Sequence, residues 1–404
     1  MIQRPLYLNR ILPFVDKPII KAVTGIRRCG KSTFLKLLIQ ELRSRGVPDA
    51  SILFINKDSL AFDFLSDYRD LHRYVTEYFA GKKGKRYLLI DEVQEIVDWE
   101  KAVAGFFTDE VADIYLTGSN AGLLSTDLTV SLTGRYIEFR MHTLTFREFL
   151  AFRQKPGKQS REEFTLYLKY GGFPGIHQMV FEEEVIAQYI SAIYSTVLFR
   201  DVVSKHQVRD VPLLERIARY LADNCGNITT ARGISHYIKS QHLNCSADTV
   251  QNYMQWLVNA FLMHRVPRFD IKGKRQLELY DKYYMADIGF ISTLFGDKMQ
   301  DISGKLENIV FHELVSRGYS VNVGKLSDRE IDFIAEKGSG RVYLQVAYLL
   351  TTEEVIEREF GALEGIRDNY LKMVLSMDEY FGRDRNGIQW MNLIDFLLKP
   401  EAGV

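Results

Sequence analysis

The first 150 residues alternate short apolar runs with longer segments in which apolar residues recur at helical spacing. Ile19, Ile20, Ala22 and Val23 indicate a short buried strand, and residues 34–42 follow it with apolar side chains three or four positions apart. Further runs occupy the stretches SILFINKD, KRYLLID, ADIYLTG and GRYIEF. Because apolar strands that alternate with amphipathic helices are typical of a sheet covered on both faces, the pattern predicts a three-layer α/β domain ending near residue 150.

The segment between the first strand and the first helix has the spacing of a phosphate-binding loop, Gly25-x-x-x-x-Gly30-Lys31-Ser32. Glycines let the backbone wrap around phosphates, helix N-terminal amides donate to them, the lysine balances the β and γ charges, and the serine can hold Mg²⁺. A glycine turn that only caps the helix is the weaker alternative, since strand, loop and helix follow in the required order. The residues expected to bind nucleotide here are Gly25, Ile26, Arg27, Arg28, Cys29, Gly30, Lys31, Ser32 and Thr33.

Two carboxylates end the apolar strand in the stretch KRYLLIDEVQEI. Acidic residues often end strands without any catalytic role, but a phosphate loop earlier in the chain favours a catalytic role for these two. Asp91 is expected to hold Mg²⁺ together with Ser32, and Glu92 to orient or deprotonate the water that attacks ATP. ATP and Mg²⁺ are therefore the expected cofactors.

The strand ADIYLTG ends in further polar side chains, Thr117, Ser119 and Asn120. These groups would meet the γ-phosphate or the attacking water if this strand lay beside the other two. Arg135, just before another apolar strand, is a further candidate for the site.

At this point the sequence resembles a family of bacterial and archaeal AAA-type ATPases that carry a C-terminal domain of unknown function. The resemblance covers most of the first 210 residues and continues less sharply to the end. It implies an additional-strand ATPase core with Glu92 as the catalytic glutamate, Ser119 and Asn120 in the sensor position, and Arg135 as an arginine finger or sensor. The matching stretches are GIRRCGKST, LLIDEVQEI followed by Trp99, LTGSNAGLLS, LTGRYIEF, LTFREFL, YLKYGGFPG and LFRDVVSKH.

The remaining chain is expected to form three parts after an ATPase domain of residues 1–155. Residues 156–210 are expected to form a helical linker, and residues 211–298 follow the helix, helix, helix and hairpin order of a winged helix. Residues 228–285 contain eight lysines and arginines against four aspartates and glutamates. Amide side chains on the third helix could read DNA bases and wing arginines could hold phosphates, or this face could be solvated with the wing packed on the ATPase core. The side chains concerned are Gln251, Asn252, Gln255, Asn259, Arg265, Arg268 and Arg275.

Residues 299–404 resemble the PD-(D/E)xK nuclease fold. In that resemblance, Asp332 and Gln345 match the two strand positions of the nuclease motif, and Glu307 matches the acid on the preceding helix. Its catalytic lysine is replaced by Ala347, so cleavage is expected to be lost unless Lys325 or Lys337 has taken over that role. A fold retained for binding is the favoured interpretation.

The amino-acid composition bears on the partners, the location and the metal sites that the protein can have. Lysine plus arginine equal aspartate plus glutamate at 52 each, so no overall charge favours nucleic acid or anionic lipid. Three widely spaced cysteines and the absence of a signal cassette or long apolar stretch predict a cytoplasmic protein without membrane contact. The eight histidines show no spacing typical of a metal site.

Cys29 lies inside the phosphate loop between Arg28 and Lys31. Those charges and the helix N-terminus would lower its pKa and make it reactive, whereas a side chain that packs away from solvent would have a raised pKa. Both alternatives remain open from sequence alone.

The sequence as a whole predicts an ATP-hydrolysing switch or motor whose C-terminal modules bind duplex DNA or a protein partner. Its expected small-molecule partners are ATP and ADP. A homo-oligomer is also possible, in which Arg135 of one copy would reach the nucleotide of the next. The alternative is a nucleotide-gated DNA nuclease, which Ala347 disfavours. A purely ATP-binding scaffold is disfavoured by Glu92.

Overall fold

The computed structural model describes residues 2–121, 132, 134–154, 160–295, 302–379 and 384–400. The chain divides into two compact units. The first contains the residues up to Met141 together with Asn259–Phe261, and the second contains His142–Val258 and the residues from Leu262 onward. The boundaries predicted at residues 155 and 298 fall outside the described residues, as do residues 122–125 of the stretch LTGSNAGLLS.

The first unit is built from five strands and the helices that connect them. The strands are β1 (Ile20–Thr24), β2 (Ile52–Asn56), β3 (Tyr87–Asp91), β4 (Asp113–Gly118) and β5 (Tyr136–Arg140). The helices are α1 (Pro5–Ile11), α2 (Lys31–Ser44), α3 (Tyr68–Phe79) and α4 (Trp99–Thr108).

These five strands form one parallel sheet in the order β2-β3-β4-β1-β5. Every residue of β1 and β3 is buried, including the polar residues Lys21, Thr24 and Asp91, and the remaining residues of both strands are apolar. Strand β4 lies between the strand that precedes the phosphate loop and the strand that ends in the acids, so the additional-strand core implied by the resemblance is confirmed. Because all five strands are parallel, their carboxyl ends meet at one edge.

Apolar side chains of the helices cover the sheet of the first unit. Leu71 and Val75 of α3 and Phe106 of α4 belong to the same buried cluster as Leu53 of β2 and Ile90 of β3. Helix α3 begins where the Asp67 side chain accepts hydrogen bonds from two backbone amides of its first turn. Helical spacing of apolar residues and a polar cap therefore account for this layer.

The second unit contains eight further strands. They are β6 (Ile228–Thr229), β7 (Met263–Asp270), β8 (Arg275–Met285), β9 (Ser320–Leu326), β10 (Arg329–Lys337), β11 (Gly340–Val346), β12 (Leu371–Ser376) and β13 (Gln389–Asn392). Its helices are α5 (Phe146–Arg153), α6 (Ser160–Tyr170), α7 (Glu183–Thr196), α8 (Val211–Asp223), α9 (Ala231–Ser240), α10 (Ala247–Asn259), α11 (Ile288–Phe295), α12 (Ile302–Ser316), α13 (Glu353–Glu364) and α14 (Leu393–Leu398). A π-helical segment, Val197–Ser204, continues α7.

The strands of the second unit form one sheet in the order β13-β12-β11-β10-β9-β7-β8-β6. Between α8 and β8 the elements follow the order that the sequence predicts, and β7 and β8 form the expected antiparallel hairpin. The outer edge of that hairpin pairs with β9 in parallel, through Arg268 to Asp270. One sheet therefore joins the segment interpreted as a winged helix to the nuclease-like segment; both assignments stay predictions.

The glycine pair in the stretch YLKYGGFPG packs against Asp287. Gly171 has φ 72°, and a Cβ at this position would collide with the Asp287 carboxylate. That carboxylate accepts hydrogen bonds from the amides of Gly172 and Gly289, both at 2.9 Å. Burial raises the pKa of Asp287 to about 6 against the lowering effect of its hydrogen-bond donors. Glycine is therefore needed here for both backbone angle and space.

Helices that could cross a lipid bilayer are absent from the described part of the chain, since none combines the necessary length with enough apolar character.

Candidate functional site

The predicted phosphate loop connects β1 to α2 and depends on its glycines. Gly25 has φ 147° and Gly30 has φ 108°, angles that side chains other than glycine rarely adopt. A Cβ at Gly25 would collide with the carbonyl oxygen of Met141. Ile26 is buried and Thr33 is exposed.

Lys31 begins α2, and its ammonium is buried in the loop. Its Nζ donates to the carbonyl oxygens of Gly25 at 2.9 Å and Ile26 at 3.2 Å. The same atom lies 3.7 Å from Oε1 of Glu92. The loop thus holds one positive charge beside a carboxylate at the carboxyl edge of the sheet.

Asp91 and Ser32 are brought together, as the magnesium prediction requires. The Asp91 side chain is hydrogen-bonded to Ser32 and accepts from the Thr117 hydroxyl at 2.5 Å. Burial raises the pKa of Asp91, while these two hydrogen bonds and the charge of Lys31 act in the opposite direction.

Glu92 follows Asp91 in a left-handed conformation with φ 53°. Its amide donates to the Thr117 hydroxyl at 2.9 Å, so Thr117 joins the backbone of one acid to the side chain of the other. Burial alone would raise the pKa of Glu92, but the ammonium of Lys31 and the amide of Gln94 outweigh it and lower the pKa. Glu92 is therefore ionised at neutral pH.

Ser119 and Asn120 come directly after β4, at the same edge of the sheet. Both are buried, and Ser119 is hydrogen-bonded to the Glu92 side chain. The strand arrangement thus brings the predicted sensor residues to the acids because β4 is the neighbour of β3.

Sequence comparisons agree with this geometry. The AAA domain matches residues 17–150, and a domain of unknown function, DUF8612, matches residues 161–301. Over 402 residues the chain is 35% identical to an uncharacterized protein of Haemophilus influenzae, with 99% of each chain aligned. The chain belongs to this family of AAA-domain proteins.

The chain is also similar to more distant proteins. An uncharacterized protein of Methanocaldococcus jannaschii is 29% identical over 390 residues, which cover 90% of this chain and 83% of that protein. The fold is similar to that of the Walker-type ATPase PABY2304 of Pyrococcus abyssi, with a TM-score of 0.50 and 14% identity. That similarity covers 73% of this chain and 96% of the other.

Within the AAA domain, Arg135 does not join the phosphate loop of its own chain. It precedes β5, whose first residue pairs with Ile20 at the start of β1, whereas the loop follows the end of β1. The strand places it roughly 16 Å from the carboxyl edge. Its guanidinium instead lies 5.7 Å from the centre of the Phe107 ring. Arg135 therefore lies away from the phosphate loop of its own chain, and its role as an arginine finger or sensor stays a prediction.

Cys29 is buried beneath the loop of the AAA domain, with no exposed surface. Burial raises the pKa of its thiol and outweighs the lowering effect of the charges of Lys31 and Arg4. Of the two alternatives left open by the sequence, the structure therefore favours the side chain that packs away from solvent.

Two residues of the AAA domain site were missed by sequence reasoning. Arg4 donates to the carbonyl oxygen of Cys29 at 3.0 Å from a position far upstream, with no spacing signal to reveal it. The amide of Gln94 donates to Glu92. Its position two residues after the acid could have suggested that contact. Arg27 lies 4.0 Å from Glu95.

The second unit contains an acid–lysine cluster, formed by Lys282, Glu307, Glu330 and Asp332. The Lys282 ammonium lies 3.0 Å from Glu307, 2.8 Å from Glu330 and 3.3 Å from Asp332. Burial alone would lower the pKa of Lys282, but Tyr284 and the surrounding acids outweigh it and raise the pKa. Burial and the charge of Asp332 also raise the pKa of Glu307.

A cleft of about 940 Å³ opens beside the acid–lysine cluster and is lined by Gln345 and Ala347. The side chain of Gln345 accepts from the Asp332 amide at 2.7 Å. Lys337, one of the two lysines considered from sequence, instead donates to the carbonyl of Arg317. Lys282 was missed because it lies on β8, far from the nuclease-like motif in sequence.

The hairpin arginines are partly neutralised. Arg265 pairs with Asp281 at 2.6 Å, and Arg268 lies 3.8 Å from Glu330. On α10, the amide side chains of Gln251, Asn252 and Gln255 are exposed. Asn259, the fourth predicted amide, is half-buried, and two of the arginines expected to hold phosphates already contact acids.

Proposed function

We propose that the protein binds ATP with Mg²⁺ in its AAA domain and hydrolyses it, and that this cycle switches or drives C-terminal modules that bind DNA or a protein partner. The observation that supports the proposal most is the meeting of Lys31, Asp91 and Glu92 beside the loop. One threonine hydroxyl contacts both acids, and the lysine lies 3.7 Å from the second.

The residues present fit a magnesium ion. Among the described residues, Oδ2 of Asp91 is buried without a hydrogen-bond partner, which is the state expected of an oxygen that contacts a cation through water. Ser32 supplies a hydroxyl next to it. When bound, Mg²⁺ would neutralise charge on the β- and γ-phosphates.

Glu92 suits the task of positioning water. Because Lys31 and Gln94 keep it ionised, it can accept a hydrogen bond from the attacking water at neutral pH. Lys31, which contacts loop carbonyls, can turn to the phosphates when they enter the loop. Ser119 and Asn120 lie where they can contact the γ-phosphate or that water.

Two substitutions separate binding from turnover. Lys31→Ala should abolish binding of a fluorescent ATP analogue, because its charge acts on bound phosphates. Glu92→Gln should retain binding and lower kcat on the order of 10²- to 10⁴-fold, because it removes only the group that positions water.

Glu77→Gln is the matched control, since Glu77 is an exposed acid on α3. It should leave kcat close to that of the wild type in the same phosphate-release assay. Near-normal hydrolysis by Glu92→Gln would refute the role of Glu92, and failure of the wild type to turn over ATP would refute the proposal.

A second candidate function, metal-dependent cleavage of phosphodiesters, is favoured by one observation. Lys282 places an ammonium among Glu307, Glu330 and Asp332, although position 347 lacks the expected lysine. The cleft beside these groups is open to a substrate. On this reading, Lys282 would stabilise the charge that develops on the phosphate.

Cleavage of plasmid DNA by the full chain with Mg²⁺ tests this second function. The cleavage seen with the wild type should be lost in Asp332→Asn and Lys282→Met. It should be retained in Lys325→Met, which removes a lysine from β9, the strand that pairs with the Asp332 strand β10. If the wild type does not cleave DNA, the acid–lysine cluster is a buried ion-pair network without a catalytic role. If only Lys325→Met loses cleavage, Lys325 and not Lys282 stabilises the charge on the phosphate.

A further inference from the structure

Three buried histidines of the second unit meet although they are far apart in sequence. His142 follows β5, His264 lies in β7 and His312 lies in α12. Their ring centres are 5.4 Å apart for His142 and His264, 5.7 Å for His142 and His312, and 5.2 Å for His264 and His312. One ring nitrogen from each lies within 4.8 Å of the others. We call this group the histidine triad.

The hydrogen bonding of His312 fixes which nitrogen could bind a metal. Its Nε2 lies 2.6 Å from the carbonyl oxygen of Met285. A carbonyl only accepts, so Nε2 bears the proton and the lone pair is on Nδ1. A backbone carbonyl that orients the remote nitrogen in this way is typical of metal-bound histidines.

The triad is enclosed by other residues of the second unit. Each histidine exposes no more than 7% of its surface, and the Phe311 ring lies 5.4 Å from that of His264. An ion bound among the three rings would therefore be largely shielded from bulk solvent.

The spacing of the triad is close to that of a three-histidine zinc site. Zn–N bonds of about 2.0–2.1 Å in tetrahedral geometry set the nitrogens about 3.4 Å apart. From separations no greater than 4.8 Å, each nitrogen would need to move by less than about 1 Å. Small rotations of the side chains can supply such a shift.

We propose that His142, His264 and His312 bind one transition-metal ion, with zinc as the best match. Imidazole ligands suit zinc and its neighbours in the first transition series, and three protein ligands leave a fourth position for water. The ion would tie the first residue of the second unit to β7 and α12. Metal binding by the triad does not require ATP hydrolysis.

Metal binding to the full chain tests the proposal. After removal of metals with a chelator, the wild type should take up one Zn²⁺ per chain in calorimetry with excess Mg²⁺ present, and its Tm should rise. Co²⁺ should give the intense visible absorption of a tetrahedral site. His264→Gln and His312→Gln should each weaken Zn²⁺ binding by at least about 100-fold.

His236→Gln is the matched control, because His236 is an exposed histidine on α9. It should bind Zn²⁺ as the wild type does. Zn²⁺ uptake that survives both triad substitutions, or a weak octahedral Co²⁺ spectrum in the wild type, would overturn the proposal. Because the cobalt spectrum is measured on the wild type, it decides the matter even if a substituted chain fails to fold.

Discussion

Thr117 connects the two acids of the nucleotide site through a single hydroxyl. It donates to the Asp91 carboxylate and accepts from the amide of Glu92. The second contact fixes the left-handed turn in which Glu92 leaves β3. The position of the glutamate carboxylate therefore depends on a side chain from the neighbouring strand.

Replacing Thr117 by valine should lower kcat while leaving nucleotide binding largely intact. The isosteric change removes one hydrogen bond from the buried Asp91 carboxylate and leaves the Glu92 amide without its acceptor, at a cost of about 1–3 kcal/mol. If that cost appears in the transition state, kcat falls roughly 5- to 150-fold. Thr117→Ser, which keeps the hydroxyl, should retain most of the activity in the same steady-state assay. Equal rates for the two variants would show that the hydroxyl has no part in turnover.

The sequence predicts a site residue when its role depends on residues that are close to it along the chain. Lys31, Asp91 and Glu92 follow from a loop between a strand and a helix and from the end of a strand. Lys282 and the histidine triad were not predictable, because only the pairing of distant strands and the packing of α12 bring them together. The direction of the Cys29 pKa shift stayed open from sequence because loop spacing does not show which way a side chain points.

At the scale of elements, the GGFPG stretch shows how a glycine pair lets two segments approach. Gly171 has a left-handed backbone, and its missing side chain leaves room for the Asp287 carboxylate. Asp287 in turn accepts from the amide of Gly172, just after α6, and from that of Gly289 in the first turn of α11. One carboxylate thus attaches the chain after α6 to the start of α11.

Gly171→Ala should destabilise the protein more than Gly338→Ala. Both residues have a left-handed backbone, which costs alanine about 1–2 kcal/mol, but a Cβ at Gly338 meets nothing within 4 Å. The collision with Asp287 should add at least about 1 kcal/mol at Gly171. Denaturant unfolding measures the difference. Equal losses of stability would mean that the contact between Gly171 and Asp287 relaxes without cost.

The existence and type of most elements could be predicted from periodicity. The strands of the first unit appear as apolar runs, and α10 exposes three of the four amide side chains that its spacing predicts on one side. The pairing of β7 with β9 could not be predicted, because either edge of a hairpin can accept another strand and no local pattern selects one.

At the scale of the whole molecule, the chain combines an AAA domain with a second unit around one eight-stranded sheet. Sequence reasoning divided this second unit at residues 210 and 298 because its motifs resemble two separate modules. Motif resemblance follows local spacing, whereas the extent of a sheet depends on hydrogen bonds between strands that are distant in sequence.

The parallel contact between β7 and β9 has a consequence for how the second unit folds. Two helices, α11 and α12, separate the hairpin from β9, so the chain can form this pairing only after all of the intervening residues have emerged from the ribosome. Until then, the backbone amides and carbonyls of β7 form an exposed edge that can pair with another chain. A fragment that stops after the hairpin keeps that edge permanently, so truncation there favours aggregation over an autonomous module.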